Sequence, residues 1–373
     1  MFIKYIIVLF YYIKRLYNFI MSYLKDKKKK FVYPVRLVNL SRVNDNIENY
    51  YIKKKITNIY NACYINSSIQ CLFYLSDFIN NIINYKGGKL TNASINLINE
   101  MTNEKNEQKF FSVSKIKKAM GEKIEIYQEN NQEDTNEFIS NYLDLLHKEV
   151  SKNNSSREIV ISTKNKKDEE NFNKYLNKFS RKNGNSFILD LFYGILNIKK
   201  YCKCKTFSTF SSFNILELPL DSSISNDETQ ILKLDDILIT FISPNKISNA
   251  ICEKCKEQIY SQTTFYFLPK YLIIYFGRKN DGHFIENKIE FPQKALNVNK
   301  FFNKEISNDS NDYIYNLKSI IDYRTIEEKG HYSAYCRDGN NWIYFDDHYI
   351  TKYENLFLNG IPIVLFYEKE NYF

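Results

Sequence analysis

The chain has 373 residues, of which 44% are hydrophobic and 16% aromatic, so it is long enough to bury a large core. Its formal net charge is +9, and its lysines are spread over the whole sequence. Nucleic-acid binding requires basic residues gathered on a stripe or patch, and the sequence contains no such motif, so we predict no nucleic-acid partner.

Residues 1–24 are strongly apolar, but Lys14 and Arg15 interrupt them, which argues against a transmembrane span. No small-residue cleavage site follows, which argues against a secretory signal peptide. On a helical projection the polar residues share one face, and residues 27–30 then form a basic cluster. This pattern is typical of a helix on an anionic membrane surface. We therefore predict an N-terminal extension over residues 1–30 that contacts a membrane surface, the alternative being a poorly ordered extension.

Residues 58–70, which read NIYNACYINSSIQ, place Cys63 at the start of a predicted helix. Ile65, Ile69 and Leu72 follow at helical spacing. The unpaired N–H groups and the dipole of a first helical turn favour a thiolate, which is the nucleophilic form of cysteine. The alternative is an ordinary buried cysteine on an amphipathic helix.

Helical periodicity dominates from residue 56 to about residue 150, and Asp134 and Glu137 are spaced to share one helix face. Residues 151–185 are predicted to be an exposed insertion with a short helix at 172–179. Strand-like runs then continue to the C-terminus, at residues 187–191, 213–218, 265–268, 271–276 and 313–322. The order of these elements predicts an α+β fold.

Two close pairs of cysteines, Cys202 with Cys204 and Cys252 with Cys255, indicate a metal site. Structural zinc is bound by four thiolates that come from two short knuckles. The first pair is one residue tighter than usual, and the alternatives are accidental pairing or a site that has lost its metal. We predict one structural zinc ion and no organic cofactor.

Seven cysteines in a long chain do not suggest a disulfide framework, because the number is odd. A reducing compartment, with four cysteines on a metal and one reactive, explains the set better. We therefore expect an intracellular, cytoplasmic protein, with the nucleus and a membrane-associated pool as alternatives.

Residues 330–347 are predicted to form a hairpin, in which Asp338 and Gly339 are a strong two-residue turn signal. If these two residues form the turn, His331 directly faces Asp346 across the strands. A carboxylate in that position can fix the imidazole tautomer and stabilise the imidazolium. A longer turn would shift the register.

Taken together, these motifs resemble those of the ubiquitin-specific proteases, the largest group of cysteine deubiquitinases. The resemblance runs from about residue 56 to residue 367. Residues 58–70 are similar to the family's N-x-G-N-T-C-Y-M-N-S-x-L-Q pattern, residues 132–138 to its Q-Q-D-x-x-E-F pattern, and residues 330–347 to its histidine box.

The resemblance implies a papain-like cysteine protease hand within a catalytic domain at residues 31–373. The helical thumb would lie at about residues 56–185, the zinc-ribbon fingers at 186–275 and the β-rich palm at 276–373.

The resemblance also implies the roles of the site residues. Cys63 is the nucleophile, and His331 takes the thiol proton and returns it to the leaving amine. Asp346 orients His331, and Asp347 supports the site. Asn58 matches the position that stabilises the oxyanion, together with the backbone N–H of the nucleophile.

The implied function is hydrolysis of the (iso)peptide bond after the C-terminal glycine of ubiquitin, with ubiquitin and ubiquitinated proteins as partners. Asp134 and Glu137 are implied to bind arginines of the ubiquitin tail, and their alternative role is compensation of a helix dipole. Tyr60, Tyr323 and Thr325 depart from the family pattern. The alternatives are therefore a catalytically weak ubiquitin-binding scaffold, or a protease for another modifier with a Gly-Gly tail.

Overall fold

The computed structural model describes residues 54–59, 61–103, 110–151, 159, 166–220, 229–280, 283–302, 313–326 and 329–370. The predictions for residues 1–30 and for Tyr60 lie outside these ranges and stay predictions. Among the residues described, no helix combines the length and the apolar character that crossing a lipid bilayer requires.

The helices lie mostly in the first half of the chain, as their periodicity predicts. Within the described ranges they are α1 (Cys63–Phe73), α2 (Ser76–Ile82), α3 (Lys89–Thr102), α4 (Ser114–Gly121), α5 (Thr135–Val150), α6 (Lys166–Asn183), α7 (Phe187–Phe192) and α8 (Leu234–Ile242). Helix α5 begins where it does because the Asp134 carboxylate accepts a hydrogen bond from the backbone N–H of Asn136 at 2.7 Å.

One strand prediction is wrong, because Phe187–Phe192 is helix α7. Ser186 caps this helix by accepting a hydrogen bond from the backbone N–H of Leu189 at 3.4 Å. Every residue of α7 except Asp190 is buried. A short apolar run that is covered on nearly all sides carries no period, so its pattern does not distinguish a strand from a helix.

The short helix predicted inside the insertion is longer in the structure, where α6 has 18 residues. Its apolar side chains Phe172 and Leu176 are buried. The ring of Phe172 lies 5.3 Å from that of Phe210 and 4.7 Å from that of Tyr266. Packing against these aromatic rings stabilises a helix whose own sequence is strongly polar.

The strands form two main sheets. In chain order, the strands of these sheets are β3 (Gly194–Cys202), β4 (Lys205–Phe213), β5 (Leu216–Pro219), β7 (Asn245–Ile251), β8 (Gln258–Phe267), β9 (Tyr271–Gly277), β13 (Leu296–Asn297), β14 (Ile314–Ile326), β15 (Lys329–Asp338), β16 (Asn341–Asp346), β17 (Tyr349–Tyr353) and β18 (Ile361–Lys369). Two-residue strands outside the main sheets are β1 (Lys55–Ile56), β2 (Phe110–Phe111), β6 (Leu232–Lys233), β10 (Lys279–Asn280), β11 (His283–Phe284) and β12 (Ile289–Glu290).

The larger sheet, here called the palm sheet, has the strand order β17-β16-β15-β14-β18-β9-β5, with β13 paired to β14. All its pairs are antiparallel except β5 with β9. The finger sheet has the order β4-β3-β8-β7. The division of the chain at residues 185 and 275 stays a prediction, although β5 and β9 bring two segments of the predicted fingers into the palm sheet.

The predicted register of the β15–β16 hairpin is wrong. The observed pairs include Asp338 with Asn341 and Ala334 with Phe345, so the turn is formed one residue later than predicted, at Gly339 and the residue after it. Gly339 has φ +59°, and a glycine at the first central position is what a type II′ turn requires. Moving the turn by one residue changes the pairing across the hairpin by two residues. Side chains alternate between the two faces of a sheet, so His331 and Asp346 remain on the same face, but they are diagonal rather than directly opposite neighbours.

Helix α1 is enclosed between the other helices and the palm sheet, and all 11 of its residues are buried. The Cys71 Sγ atom lies 3.5 Å from the carbonyl oxygen of Ile320 on β14. The two serines of α1 form hydrogen bonds within the helix, where the Ser67 hydroxyl donates to the Cys63 carbonyl at 2.8 Å and the Ser68 hydroxyl to the Tyr64 carbonyl at 2.6 Å. The N-terminus of α1 is therefore held firmly at the boundary between helices and sheet.

Replacing Phe138 with alanine is expected to lower the free energy of unfolding by about 3–5 kcal/mol. Phe138 is fully buried on α5, and its ring lies 5.7 Å from the ring of Tyr64 on α1. Denaturant unfolding measures the loss, with Phe110→Ala as the control, because Phe110 is 44% exposed. A loss below about 1 kcal/mol for Phe138→Ala, the range of surface substitutions, would contradict this packing.

Candidate active site

Cys63 is the first residue of α1 and is only 3% exposed. The residue two before it, Asn61, has φ +57°, a left-handed conformation that asparagine tolerates better than most residues. The Asn61 side-chain amide donates to the carbonyl oxygen of Asn130 at 3.0 Å. This anchored turn directs the chain into the helix and places the thiol in its first turn, as the sequence predicts.

His331 on β15 lies between the thiol and a carboxylate. Its Nε2 atom is 2.6 Å from Oδ1 of Asp346, and its ring also hydrogen bonds with Cys63. The bond to Asp346, and then the bond to Cys63, raise the pKa of His331 to about 10. Burial alone would raise the pKa of Asp346, but the bond to His331 holds that pKa below its usual value. The arrangement therefore favours an imidazolium facing an ionised carboxylate.

Asp346 has two further partners on its second oxygen. Arg324 Nη2 forms an ion pair with Oδ2, and the Tyr344 hydroxyl donates to Oδ2 at 3.1 Å. Sequence reasoning missed both residues. Tyr344 could have been found, because it lies two residues before Asp346 on one strand and so shares its face. Arg324 could not, since its place depends on the pairing of β14 with β15.

Asp347 supports the same corner of the site. Its Oδ1 accepts a hydrogen bond from the side-chain amide of Asn66 on α1 at 2.7 Å, and its Oδ2 lies 4.0 Å from Nε2 of His331. Burial raises the pKa of Asp347, and hydrogen bonds from Asn66 and Asn58 oppose the rise. The structure therefore brings Asn58, Asp347 and His331 together, with the side chain of Asn58 turned towards Asp347.

Gln132 is a contact of Cys63 that sequence reasoning named only as part of a motif. Its side-chain nitrogen donates to the Cys63 Sγ at 3.2 Å and to the carbonyl oxygen of Gly330 at 2.9 Å. A single amide thus links the nucleophile on α1 to the residue before His331 on β15. The motif was the only sequence signal, since residue 132 is distant in sequence from both partners.

The two acids predicted to bind substrate occupy different positions around α5. Asp134 lies just before the helix as its N-cap, and its Oδ2 accepts a hydrogen bond from the Tyr275 hydroxyl at 3.2 Å. Glu137 is exposed in the first turn. Both acids place negative charge near the positive end of the helix dipole, which stabilises the helix. This is the alternative role that the sequence left open.

The four paired cysteines come together at one end of the finger sheet. Cys202 ends β3, and Cys252 follows β7; the Sγ atoms of all four lie within 4.8 Å of one another. Cys204 Sγ lies 3.6 Å from that of Cys202 and 3.6 Å from that of Cys252. Four sulfurs around one zinc ion are separated by about 3.8 Å, so the residues present fit a tetrahedral thiolate site. The backbone N–H groups of Cys255 and Lys254 lower the pKa of Cys252 to about 6, whereas burial raises the pKa of Cys204.

His331, Asp346 and Asp347 also bring possible metal-ligand atoms within 4.8 Å of one another. Their polar atoms already contact Cys63 and the side chains described above. A thiol in a first helical turn, an imidazole beside it and a carboxylate behind the imidazole are the arrangement of a cysteine hydrolase.

Residues 54–367 match the family model described as ubiquitin carboxyl-terminal hydrolase, so the chain belongs to this family. Ubiquitin carboxyl-terminal hydrolase Usp2 of Drosophila melanogaster is 27% identical over 340 residues, which cover 84% of this chain and 34% of the relative. Probable ubiquitin carboxyl-terminal hydrolase 4 of Schizosaccharomyces pombe is 25% identical over 352 residues, which cover 84% of this chain and 57% of the relative. The chain thus spans between one third and three fifths of the length of these curated relatives.

Solved structures of low sequence identity share the fold. A chain of the SAGA DUB module containing Ubp8, bound to monoubiquitin, superposes with a TM-score of 0.63 at 18% identity, covering 86% of this chain and 70% of that one. The same module bound to ubiquitin aldehyde gives a TM-score of 0.61 at 18% identity, covering 87% of this chain and 71% of that one. The predicted α+β papain-like hand is confirmed.

Proposed function

We propose that this protein is a deubiquitinating cysteine protease that hydrolyses the (iso)peptide bond after the C-terminal glycine of ubiquitin. The observation that carries the proposal is the line of contacts from Cys63 through His331 to Asp346. Membership of the ubiquitin carboxyl-terminal hydrolase family supports the substrate class. The two solved structures compared above are complexes with monoubiquitin and with ubiquitin aldehyde.

In the proposed reaction the Cys63 thiolate attacks the carbonyl carbon of the terminal glycine. The imidazolium of His331 gives its proton to the leaving lysine amine as the carbon–nitrogen bond breaks, which leaves a thioester on Cys63. Neutral His331 then takes a proton from water as the oxygen attacks the thioester, and the carbon–sulfur bond breaks to release the thiolate. The new carboxylic acid gives its remaining proton to solvent and leaves as the ubiquitin carboxylate. Asp346 holds the imidazole in place throughout.

Two side-chain amides contact residues of the site, since Gln132 contacts Cys63 and Asn58 contacts Asp347. We assign Asn58 and the backbone N–H of Cys63 as the donors to the tetrahedral oxyanion, with Asp347 fixing the Asn58 side chain. Gln132 is a further candidate donor, because its amide already lies 3.2 Å from the attacking sulfur. Its bond to the Gly330 carbonyl also holds the nucleophile beside the strand that carries the base.

Replacing Gln132 with alanine is therefore expected to lower kcat on the order of 10²-fold, the usual cost of losing one such donor. Steady-state hydrolysis of a fluorogenic ubiquitin amide measures the change. Asn131→Ala is the matched control, because this neighbouring amide is exposed and bonds only to Glu129 among the contacts described. Equal rates for the two variants would remove Gln132 from the catalytic machinery.

Zinc is the metal that we assign to the four cysteines of the finger sheet. Cys202, Cys204, Cys252 and Cys255 would hold one ion, which would cross-link the β3–β4 hairpin to the β7–β8 hairpin. Nothing in the proposed reaction requires the ion, so its contribution is structural.

The proposed partners are ubiquitin and ubiquitinated proteins. Asp134 and Glu137 are proposed to contact the arginines of the ubiquitin tail, because both acids lie at the start of α5, close to Gln132. The Tyr323 ring lies over Gly330, where an added Cβ would be only 2.3 Å from the Tyr323 hydroxyl oxygen. The family pattern has a histidine at the position of Tyr323. Because the tyrosine ring changes the surface next to Gly330, other modifiers with a Gly-Gly tail should also be tested as substrates.

Incubation with ubiquitin that carries a C-terminal electrophile tests the proposal. The expected result is one covalent adduct, mapped by mass spectrometry to the peptide that contains Cys63. Binding without an adduct would refute the protease and support the scaffold alternative. Probes built on related modifiers, used at the same concentration, show which tail the site accepts.

A further inference from the structure

Arg324 lies on β14 directly beside the base of the proposed reaction. Its backbone pairs in register with that of His331 on β15. Its Nη2 forms an ion pair with Oδ2 of Asp346, whereas Oδ1 of the same carboxylate lies 2.6 Å from Nε2 of His331. One carboxylate is therefore shared between two cations, one on each oxygen.

This sharing takes place in a partly buried environment, where charges are screened less than at the surface. The side chains of Arg324 and Asp346 are 26% and 17% exposed. Burial would lower the pKa of Arg324, but the charge of Asp346 raises it, so the guanidinium stays protonated. Arg324 thus places a permanent charge next to the catalytic pair, between the two residues, Tyr323 and Thr325, that depart from the family pattern.

The other charged and titratable groups around His331 are acidic or neutral. Cys63 faces it from α1 and Asp346 from β16, and the Tyr344 hydroxyl contacts the second oxygen of Asp346. Asp347 approaches it from the following turn, with Oδ2 at 4.0 Å from Nε2. Asp322, two residues before Arg324 on β14, is buried, and burial raises its pKa to about 6. Among the described residues that face this imidazole, Arg324 is the cation.

We propose that Arg324 is a positioning residue that shares the charge of Asp346 with His331 and so limits how strongly the imidazole holds its proton. An isolated carboxylate stabilises an imidazolium more than one that already pairs with a guanidinium. An imidazolium that is stabilised too strongly is a poor acid toward the leaving amine. The inference rests on the proposed protease function for its catalytic consequence, but not for its effect on His331.

The test compares Arg324→Met, which removes the charge, with Arg324→Lys, which keeps it. Titration of the His331 ring is followed by NMR in the full chain without ubiquitin, and its signal is assigned by its loss in His331→Gln. The midpoint is expected to rise by about one pH unit in Arg324→Met and to stay within about 0.3 unit in Arg324→Lys. With a ubiquitin amide at neutral pH, kcat is expected to fall about 3- to 10-fold in Arg324→Met, with KM unchanged.

An unchanged or lowered His331 midpoint in Arg324→Met would overturn the inference. Equal losses of kcat in both variants, without a shift of the midpoint, would also overturn it, because they would indicate packing alone. Should Arg324→Met fail to fold, Arg324→Gln makes the same comparison with a polar side chain. If the wild-type chain forms no adduct with the ubiquitin electrophile, the proposed function fails, and the titration still decides the role of Arg324.

Discussion

Replacing Cys63 with alanine is expected to abolish hydrolysis of ubiquitin amides, lowering kcat by at least about 10⁴-fold. The variant keeps the helix, the imidazole and the carboxylate but has no atom that can form the thioester. Cys63 is the only cysteine that contacts His331 among the residues described, so no neighbouring thiol can replace it. The substitution removes one buried sulfur atom, and the change in fold should be small.

Cys71 provides the matched control, because it lies on the same helix and is fully buried behind the site. Cys71→Ala is expected to lose some stability and to keep the covalent adduct with a ubiquitin electrophile. Rates are compared at equal concentrations of folded protein, which circular dichroism establishes. Residual turnover of Cys63→Ala within about 100-fold of the wild type would assign the nucleophile elsewhere.

Replacing Cys252 with serine is expected to reduce bound zinc from about one equivalent to nearly none, since three thiolates no longer complete the tetrahedron. Loss of zinc should loosen the ends of the β3–β4 and β7–β8 hairpins, because the ion would join these two ends where the strand pairing of the finger sheet stops. Metal analysis measures the zinc, and hydrogen exchange measures the opening of the hairpins.

The control for the zinc site is Lys254→Ala, in the same knuckle. Lys254 contributes its backbone N–H to the Cys252 sulfur, and alanine retains that group. Zinc content and exchange rates should therefore match those of the wild type. Freshly purified wild-type protein without metal would contradict the zinc assignment, whatever the variants show.

The pairing of His331 with Asp346 could be predicted although the hairpin register was wrong. The predicted pairing differs from the observed one by two residues. Because side chains alternate between the faces of a sheet with a period of two, His331 and Asp346 lie on a common face in both registers. Gly339 was correctly assigned to the turn but to the wrong position within it. A dipeptide such as Asp338-Gly339 shows that the chain turns there, but it does not determine which residues pair across the two strands.

The partners of the site could not be predicted in the same way. Arg324 reaches Asp346 only because β14 lies beside β15, and Gln132 reaches Cys63 only because the start of α5 lies against the start of α1. Both contacts join segments that are distant in sequence, and no local period records them. Helix α7 was mispredicted for a local reason. An apolar run that is buried on nearly all sides has no hydrophobic period, so its pattern does not distinguish a helix from a strand.

The order of strands in the palm sheet has a consequence for how the chain acquires its site during synthesis. The last strand, β18, does not join an edge but lies between β14 and β9 near the centre of the sheet. A nascent chain therefore cannot complete this sheet until residues 361–369 have left the ribosome, and pairings of such long range form slowly. The thiol emerges long before the imidazole and β18, so the newly made polypeptide remains an unassembled, inert precursor until β18 has been synthesised.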